Sequence, residues 1–91
     1  MKLTSKERKG LQAIVEMGLK GMGGKTPIDL LEDNFSWFKR SDLSEKTGFN
    51  KHETSGIMSA LYKKGLIVGP DQGDWALTDN GIIEFQKIFE E

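Results

Sequence analysis

The sequence lacks cysteine and has a single histidine, His52. Without cysteine, neither disulfide bonds nor cysteine-based metal sites can form, and one imidazole among scattered carboxylates is not the pattern of a transition-metal site. No serine stands in a Gly-x-Ser-x-Gly turn, so the nucleophile elbow of many hydrolases is also missing. We therefore expect no catalytic residues, no metal and no cofactor, and we predict that the chain is not an enzyme.

Long apolar runs are also missing. No run approaches the roughly 20 apolar residues that span a bilayer, and no signal-type apolar segment stands near Met1. The sequence therefore predicts no membrane partner and a cytoplasmic location. Its 91 residues suffice for one small domain with a modest core. No small-molecule substrate is evident from the sequence.

The chain has no excess of charge of either sign, with 13 basic and 14 acidic side chains and a formal net charge of −1. A generic polyanion binder usually has a clear excess of Lys and Arg. The charges are nevertheless unevenly distributed. Residues 1–25 have six basic and two acidic side chains, residues 39–64 have six and three, and residues 65–91 have one and six. This distribution is compatible with one basic face and an acidic opposite side, or with ordinary solvated surfaces.

Residues 1–20 are predicted to form the first helix. Thr4 can cap it together with Glu7 three residues later, in the capping-box arrangement. One face of this helix is apolar at spacings of three and four residues: Leu11, Ile14, Val15 and Leu19. Residues 21–40 are interpreted as a glycine-rich loop, a short helical turn and a short strand. The glycines do not fit a phosphate-binding loop, because Leu19 stands where the first glycine of that motif should be.

Residues 41–64 are predicted to form two helices joined by a tight turn. Ser41 is the candidate N-cap of the first, and Gly48 can end it in the left-handed conformation. Asn50 and Glu53 form a second candidate capping box at the start of the next helix. The inward stripe of that helix is predicted to be Thr54, Ile57, Met58 and Leu61.

The remainder of the chain predicts a two-stranded hairpin over residues 65–78 and a last helix over residues 79–91. The hairpin has a polar tip rich in turn residues, and Thr78 is the candidate cap of the helix. An apolar stripe follows, which consists of Ile82, Phe85, Ile88 and Phe89 with Ile83 beside it. A terminal helix this apolar needs a partner, which is either its own domain or a second copy of the chain.

Two segments carry a resemblance to a known family. Residues 61–67 read Leu-Tyr-Lys-Lys-Gly-Leu-Ile, and residues 77–81 read Leu-Thr-Asp-Asn-Gly. These runs are similar to those that precede and follow the wing in MarR-type transcription regulators. The resemblance implies an α+β, mostly helical winged helix-turn-helix with a three-helix core, a short β-hairpin wing and an extra C-terminal helix. It also implies transcription regulation through double-stranded DNA, with a recognition helix over residues 51–64 in the major groove, and a possible homodimer through the C-terminal helix.

In such a fold the side of the recognition helix opposite its apolar stripe faces DNA. The candidate contacts on this outward side are Lys51, His52, Ser55, Gly56 and Ser59. Phosphates would be neutralised around the turn by Lys39, Arg40 and Lys46, and at the far end of the helix by Lys63.

The sequence departs from the MarR-type pattern at two places. Ser55 and Gly56 stand where a Thr-Arg pair is frequent, and the hairpin tip holds Asp71 and Asp74 where Arg or Lys is usual. The acidic tip favours an alternative function, a winged helix that binds another protein and no DNA. The chain also resembles winged helices that recognise left-handed nucleic acid. Ser59, however, stands where those proteins have a characteristic tyrosine.

Overall fold

A computed structural model of the chain describes residues 3–21, 37–71 and 73–89. These residues form a mostly helical α+β arrangement of four helices and one two-stranded antiparallel hairpin. In chain order the elements are α1 (Ser5–Gly21), α2 (Arg40–Thr47), α3 (Lys51–Lys63), β1 (Ile67–Asp71), β2 (Asp74–Leu77) and α4 (Asp79–Phe89). Within the described ranges, none of the helices has both the length and the apolar character that crossing a membrane requires. The predicted glycine-rich loop and short helical turn lie outside the described residues.

The first helix begins with the predicted capping box. The amide of Glu7 donates to Oγ1 of Thr4 at 3.2 Å, and the amide of Thr4 donates to Oε1 of Glu7 at 3.0 Å. Two amides that the helix cannot satisfy internally therefore have side-chain acceptors. The helix extends one residue beyond its predicted end, to Gly21. Its apolar face is buried at Leu11, Ile14 and Val15.

The second helix begins earlier than predicted, and Ser41 is not its N-cap. Lys39 occupies the N-cap position, and its amide donates to Oδ2 of Asp42 at 3.0 Å. The carboxylate of Asp42 thus satisfies an amide two residues before the predicted cap, which leaves Ser41 inside the first turn. The end of the helix agrees with the prediction, because Gly48 has φ 79° and its amide donates to the carbonyl of Ser44 at 2.9 Å.

The third helix has both predicted features. Oδ1 of Asn50 accepts from the amide of Glu53 at 2.8 Å, and Oε1 of Glu53 accepts from the amide of Asn50 at 3.3 Å. The predicted inward stripe is buried throughout, at Thr54, Ile57, Met58 and Leu61. Since α1 packs against both α2 and α3 on this buried side, the opposite side of α3 faces outward.

The hairpin pairs Ile67 with Leu77 and Asp71 with Asp74, with a change of register between Val68 and Asp71. Phe38 adds one residue to its other edge. The amide of Phe38 donates to the carbonyl of Trp75 at 2.8 Å, and the reverse hydrogen bond is 2.7 Å long. The predicted first strand is described only from residue 37 onward. Phe38 is buried, whereas its neighbour Trp37 is 54% exposed and does not pack in the core.

The last helix is capped as predicted, since the amide of Gly81 donates to Oγ1 of Thr78 at 3.0 Å. Ile82 and Phe85 are buried in the same core as the other helices. This core also contains side chains from every other described element: Leu3, Leu11, Ile14, Val15, Phe38, Leu43, Ile57, Met58, Leu61, Leu66, Ile67 and Leu77. Ile82, Phe85 and the partly buried Ile88 of α4 therefore pack within their own chain, and Ile83 remains 40% exposed beside them.

Candidate functional site

The outward side of α3 is open to solvent. Lys51, His52, Gly56 and Ser59 are exposed, and Ser55 is half-buried. The predicted phase of the helix is therefore confirmed on both sides. A Cβ atom added at Gly56 would meet no heavy atom within 4 Å, so the surface around the middle of the helix is unobstructed by the described residues.

Two of the predicted phosphate contacts lie beside the start of α3. Lys39 and Arg40, from the beginning of α2, share a cleft of about 440 Å³ with Lys51. We call this the basic cleft, and its described lining is Lys39, Arg40, Ser41, Ser44, Lys51 and Gly73. Three cations meet here and none of these lining residues is acidic, so an anion is the ligand that this cleft would favour.

Arg40 also reaches across to α3. Its Nη1 donates to Oγ of Ser55 at 3.1 Å, and Ser55 is half-buried. Arg40 and Ser55 belong to a second cleft of about 180 Å³, which we call the aromatic cleft. Its lining is Arg40, Ser55, Met58, Ser59, Tyr62 and Trp75. The rings of Tyr62 and Trp75 meet edge to face with their centroids 6.0 Å apart, a favourable geometry for an aromatic pair.

Two other predicted contacts lie away from these clefts. Nζ of Lys46 is 3.3 Å from Oε2 of Glu16 in α1, so its charge is partnered on the α1 side of α2. Lys63 is exposed but stands at the opposite end of α3, twelve residues after Lys51 and hence about 18 Å along the axis. The structure thus brings together Lys39, Arg40 and Lys51 and separates Lys46 and Lys63 from them.

The first helix contributes cations near the turn between α2 and α3. Nζ of Lys9 lies 5.1 Å from the centre of the Phe49 ring, and Nζ of Lys6 lies 2.9 Å from Oε2 of Glu53. The hydrogen bond from Lys6, together with the backbone bond within the Asn50 cap, holds the pKa of Glu53 below its usual range. The carboxylate nearest the start of α3 is therefore paired with a cation, and it opposes an approaching anion less than a free carboxylate would.

A second ion pair fixes the other end of α3. Nζ of Lys64 donates to Oε1 of Glu7 at 2.6 Å, and Glu7 is almost fully buried. The hydrogen bond from Lys64 and the backbone bond from Thr4 lower the pKa of Glu7, against the opposing effect of burial. Lys64 therefore binds α1, whereas the side chain of Lys63 is exposed.

The hairpin also contributes to the basic cleft. Gly73, in the turn between the paired residues Asp71 and Asp74, is part of the cleft lining. Among the described residues, no three His, Asp or Glu side chains are grouped in a way that could hold a metal ion.

Sequence reasoning missed the aromatic cleft. Tyr62 is 51% exposed and follows Ser55 and Ser59 on the same side of α3. The spacing of seven and three residues is the signal that could have identified Tyr62 as part of the outward surface. The contribution of Trp75 could not be found in this way, because it depends on how the hairpin folds back toward α3.

No protein-family model, curated protein or solved structure matches the chain. The MarR-type resemblance therefore remains a hypothesis that rests on residues 61–67 and 77–81, and function has to be inferred from the geometry of the clefts and of α3.

Proposed function

We propose that the chain is a winged helix-turn-helix domain that binds double-stranded DNA as a small transcription regulator. In this proposal α2 and α3 are the helix-turn-helix, α3 is the recognition helix in the major groove, and β1 and β2 are the wing. The order of the elements and the buried stripe of α3 are compatible with that fold.

The observation that carries the proposal is the outward side of α3 together with its flanking cations. Four of its five candidate contacts are exposed, and the positive charges of Lys39, Arg40 and Lys51 meet at its N-terminal end. The N-terminal part of a recognition helix is the part that reaches base edges, while neighbouring cations bind the DNA backbone. An open polar helix side with three convergent cations supports this mode of binding despite the net charge of −1.

The hairpin has a different role from the wing of a MarR-type regulator in this proposal. Its tip holds Asp71 and Asp74, and phosphates repel carboxylates. We infer that the hairpin stays outside the minor groove and that affinity comes from α2 and α3. The same acidic tip favours the second candidate function, a winged helix that binds another protein through the hairpin and leaves DNA unbound.

Salt dependence of duplex binding distinguishes the two functions. Each phosphate contact releases counterions, so two phosphate contacts from Lys39 and Lys51 should give a slope of about −1.8 for log affinity against log salt. Between about 50 and 200 mM salt, affinity for a radiolabelled duplex should then fall roughly 12-fold. A protein that binds no duplex at the lower concentration would favour the protein-interaction module.

Replacement of Lys51 by Ala should weaken binding to all sequences and make the salt slope shallower by about 0.9, because one phosphate contact is removed. Lys87→Ala is the matched control, since Lys87 is an exposed lysine of α4 paired with Glu84 at 3.7 Å and remote from α3 in sequence. Equal losses in both variants would mean that only overall charge matters and that α3 is not the contact surface.

A homodimer through α4 stays part of the proposal. Because Ile82 and Phe85 are buried within the chain, the exposed apolar side chain that a second copy would cover on the described part of α4 is Ile83. Sedimentation equilibrium decides the point, and a strict monomer at high micromolar concentration would remove the dimer while leaving the proposed DNA contacts unchanged.

A further inference from the structure

The guanidinium of Arg40 lies against α3, which is unusual for a side chain predicted to contact the DNA backbone. Arg40 is the first residue of α2, yet its Nη1 donates to Oγ of Ser55 on the outward side of α3, fifteen residues along the chain. Ser55 is one helical turn from Ser59, and both line the aromatic cleft with Arg40. The charged group therefore lies over the side of α3 that faces outward.

Toward the residues that the structure describes, the side chain of Arg40 makes one hydrogen bond. A guanidinium has five N–H donors and no acceptor, and Ser55 accepts one of them. None of the ion pairs among the described residues includes Arg40. The N–H groups that do not bind Ser55 match the two acceptors O6 and N7 that guanine presents in the major groove. This pairing of arginine with guanine is the commonest specific contact between proteins and DNA.

The surroundings of Arg40 restrict where it can point. Ser55 restrains the guanidinium through its hydrogen bond, and Tyr62 and Trp75 line the same cleft with their rings in edge-to-face contact at 6.0 Å. A side chain held in place loses less conformational entropy when it binds a base than a free arginine does. Lys39 and Lys51 instead present point charges in the neighbouring basic cleft, which suits phosphate oxygens.

We propose that Arg40 reads a guanine base in the major groove and that Ser55 is the positioning residue that holds its guanidinium. The inference rests on the proposed DNA binding and adds a sequence preference to it. It also supplies the strong base contact that α3 itself lacks at Ser55 and Gly56. The contacting side chain belongs to α2, and its hydrogen bond to Ser55 places it at the surface of α3.

The test begins with selection of preferred sites from a duplex library with a randomised centre, for the wild-type protein. The selected site should contain a guanine whose replacement by adenine weakens wild-type binding by roughly 5- to 150-fold. The Arg40→Gln variant should lose this discrimination at that one position and keep the preferences at the others. The dependence of its DNA affinity on salt should stay close to that of the wild type, because a contact to a base neutralises no phosphate.

Ser55→Ala tests the positioning role, with Ser5→Ala as the control, because Ser5 is an exposed serine of α1 that belongs to neither cleft. Ser55→Ala should reduce the guanine preference while Arg40 is intact, whereas Ser5→Ala, which removes a hydroxyl that does not hold Arg40, should keep it. An unchanged urea midpoint in each variant shows that the fold is retained, so that a lost preference reflects Arg40 rather than unfolding.

Three outcomes would overturn the inference. If Arg40→Gln weakens binding to all sequences equally and makes the salt slope shallower by about 0.9, Arg40 contacts a phosphate, and the proposed DNA binding is still supported. If the selected site contains no guanine that matters, Arg40 reads no guanine. If no duplex binds to the wild-type protein at low salt, the proposed function fails and the inference fails with it.

Discussion

Gly10 of α1 lies directly against Ile57 of α3. A Cβ atom added at Gly10 would stand 2.6 Å from Cγ2 of Ile57, a separation that real Cβ atoms essentially never show. Ile57 belongs to the buried stripe of α3, so this contact is where the first helix supports the proposed recognition helix from behind. The absence of a side chain at Gly10 lets the two helices approach this closely.

Gly10→Ala should therefore destabilise the protein even though alanine favours helix. The added methyl group overpacks a buried contact, which typically costs about 1–3 kcal/mol, against a gain in helix propensity of up to about 1 kcal/mol. Equilibrium unfolding in urea measures the difference as a lower midpoint. A midpoint equal to or above that of the wild type would show that α1 and α3 are not in such close contact.

Gly56→Ala is the matched variant on the other side of α3, and we expect the opposite sign. Gly56 is also in the interior of a helix, but no heavy atom lies within 4 Å of its added Cβ. The substitution should raise stability by about 0.5–1 kcal/mol in the same urea experiment. If α3 enters the major groove closely at this position, the same variant should bind duplex DNA more weakly while it is more stable.

Thr54→Val should stabilise the protein. Thr54 is fully buried and its Oγ1 has no hydrogen-bond partner among the described residues. An unsatisfied buried hydroxyl costs about 1–3 kcal/mol, and valine fills nearly the same volume without that cost. Thermal unfolding should show a higher midpoint. A lower midpoint would mean that the hydroxyl has a partner, such as a buried water.

Thr47→Val is the control for this prediction, because it makes the same chemical change at a satisfied hydroxyl. Oγ1 of Thr47 donates to the carbonyl of Leu43 at 2.8 Å and accepts from the amide of Phe49 at 3.2 Å. Its removal should lower stability by about 1 kcal/mol or more. Equal shifts for the two variants would indicate a general effect of valine in helices.

Glu7→Gln should lower the free energy of unfolding at neutral pH, and it should lower it less in acid. The pKa of Glu7 is lowered from 4.5 in the folded protein, chiefly by the hydrogen bond from Lys64. Its contribution is therefore fully present above the unfolded pKa and is lost as the pH falls through the folded one. Glutamine keeps an acceptor for the Thr4 amide, so the expected loss near pH 7 is about 1 kcal/mol.

The measurement is the difference in unfolding free energy between wild type and Glu7→Gln from pH 7 downward, which should shrink once the pH is below 4.5. Glu53→Gln is the control, because Glu53 also caps a helix and pairs with a lysine but is 33% exposed, and its partner Lys6 is 60% exposed. Exposed pairs contribute little, so its difference should be smaller. A Glu7→Gln difference that does not vary with pH would rule out the charged pair with Lys64.

Local spacing explains which features could be predicted from the sequence. The capping box of Asn50 and Glu53 and the stripe from Thr54 to Leu61 depend on residues three or four apart, and helical geometry fixes where such residues lie. The cap of α2 was mistaken because Ser41 and the pair of Lys39 and Asp42 compete for nearly the same position. The local sequence alone does not determine which of these two caps forms.

The contacts that define the site are not local. Arg40 meets Ser55 across 15 residues, and Glu7 meets Lys64 across 57. Such pairs depend on how helices pack, and the adjacent cations Lys39 and Lys63 could have taken the places of Arg40 and Lys64. The separation of Lys46 from the other cations has the same origin, since its partner Glu16 lies on a different helix.

The backbone bridge between Phe38 and Trp75 has a practical consequence for experiments. It brings the chain segment of Trp37 next to Trp75, and these are the only two tryptophans in the sequence. Trp37 is exposed, while Trp75 forms a wall of the aromatic cleft beside Arg40. The indole emission of the unlabelled protein therefore reports on the surface around that cleft, and Trp37→Phe leaves Trp75 as a single emitter there.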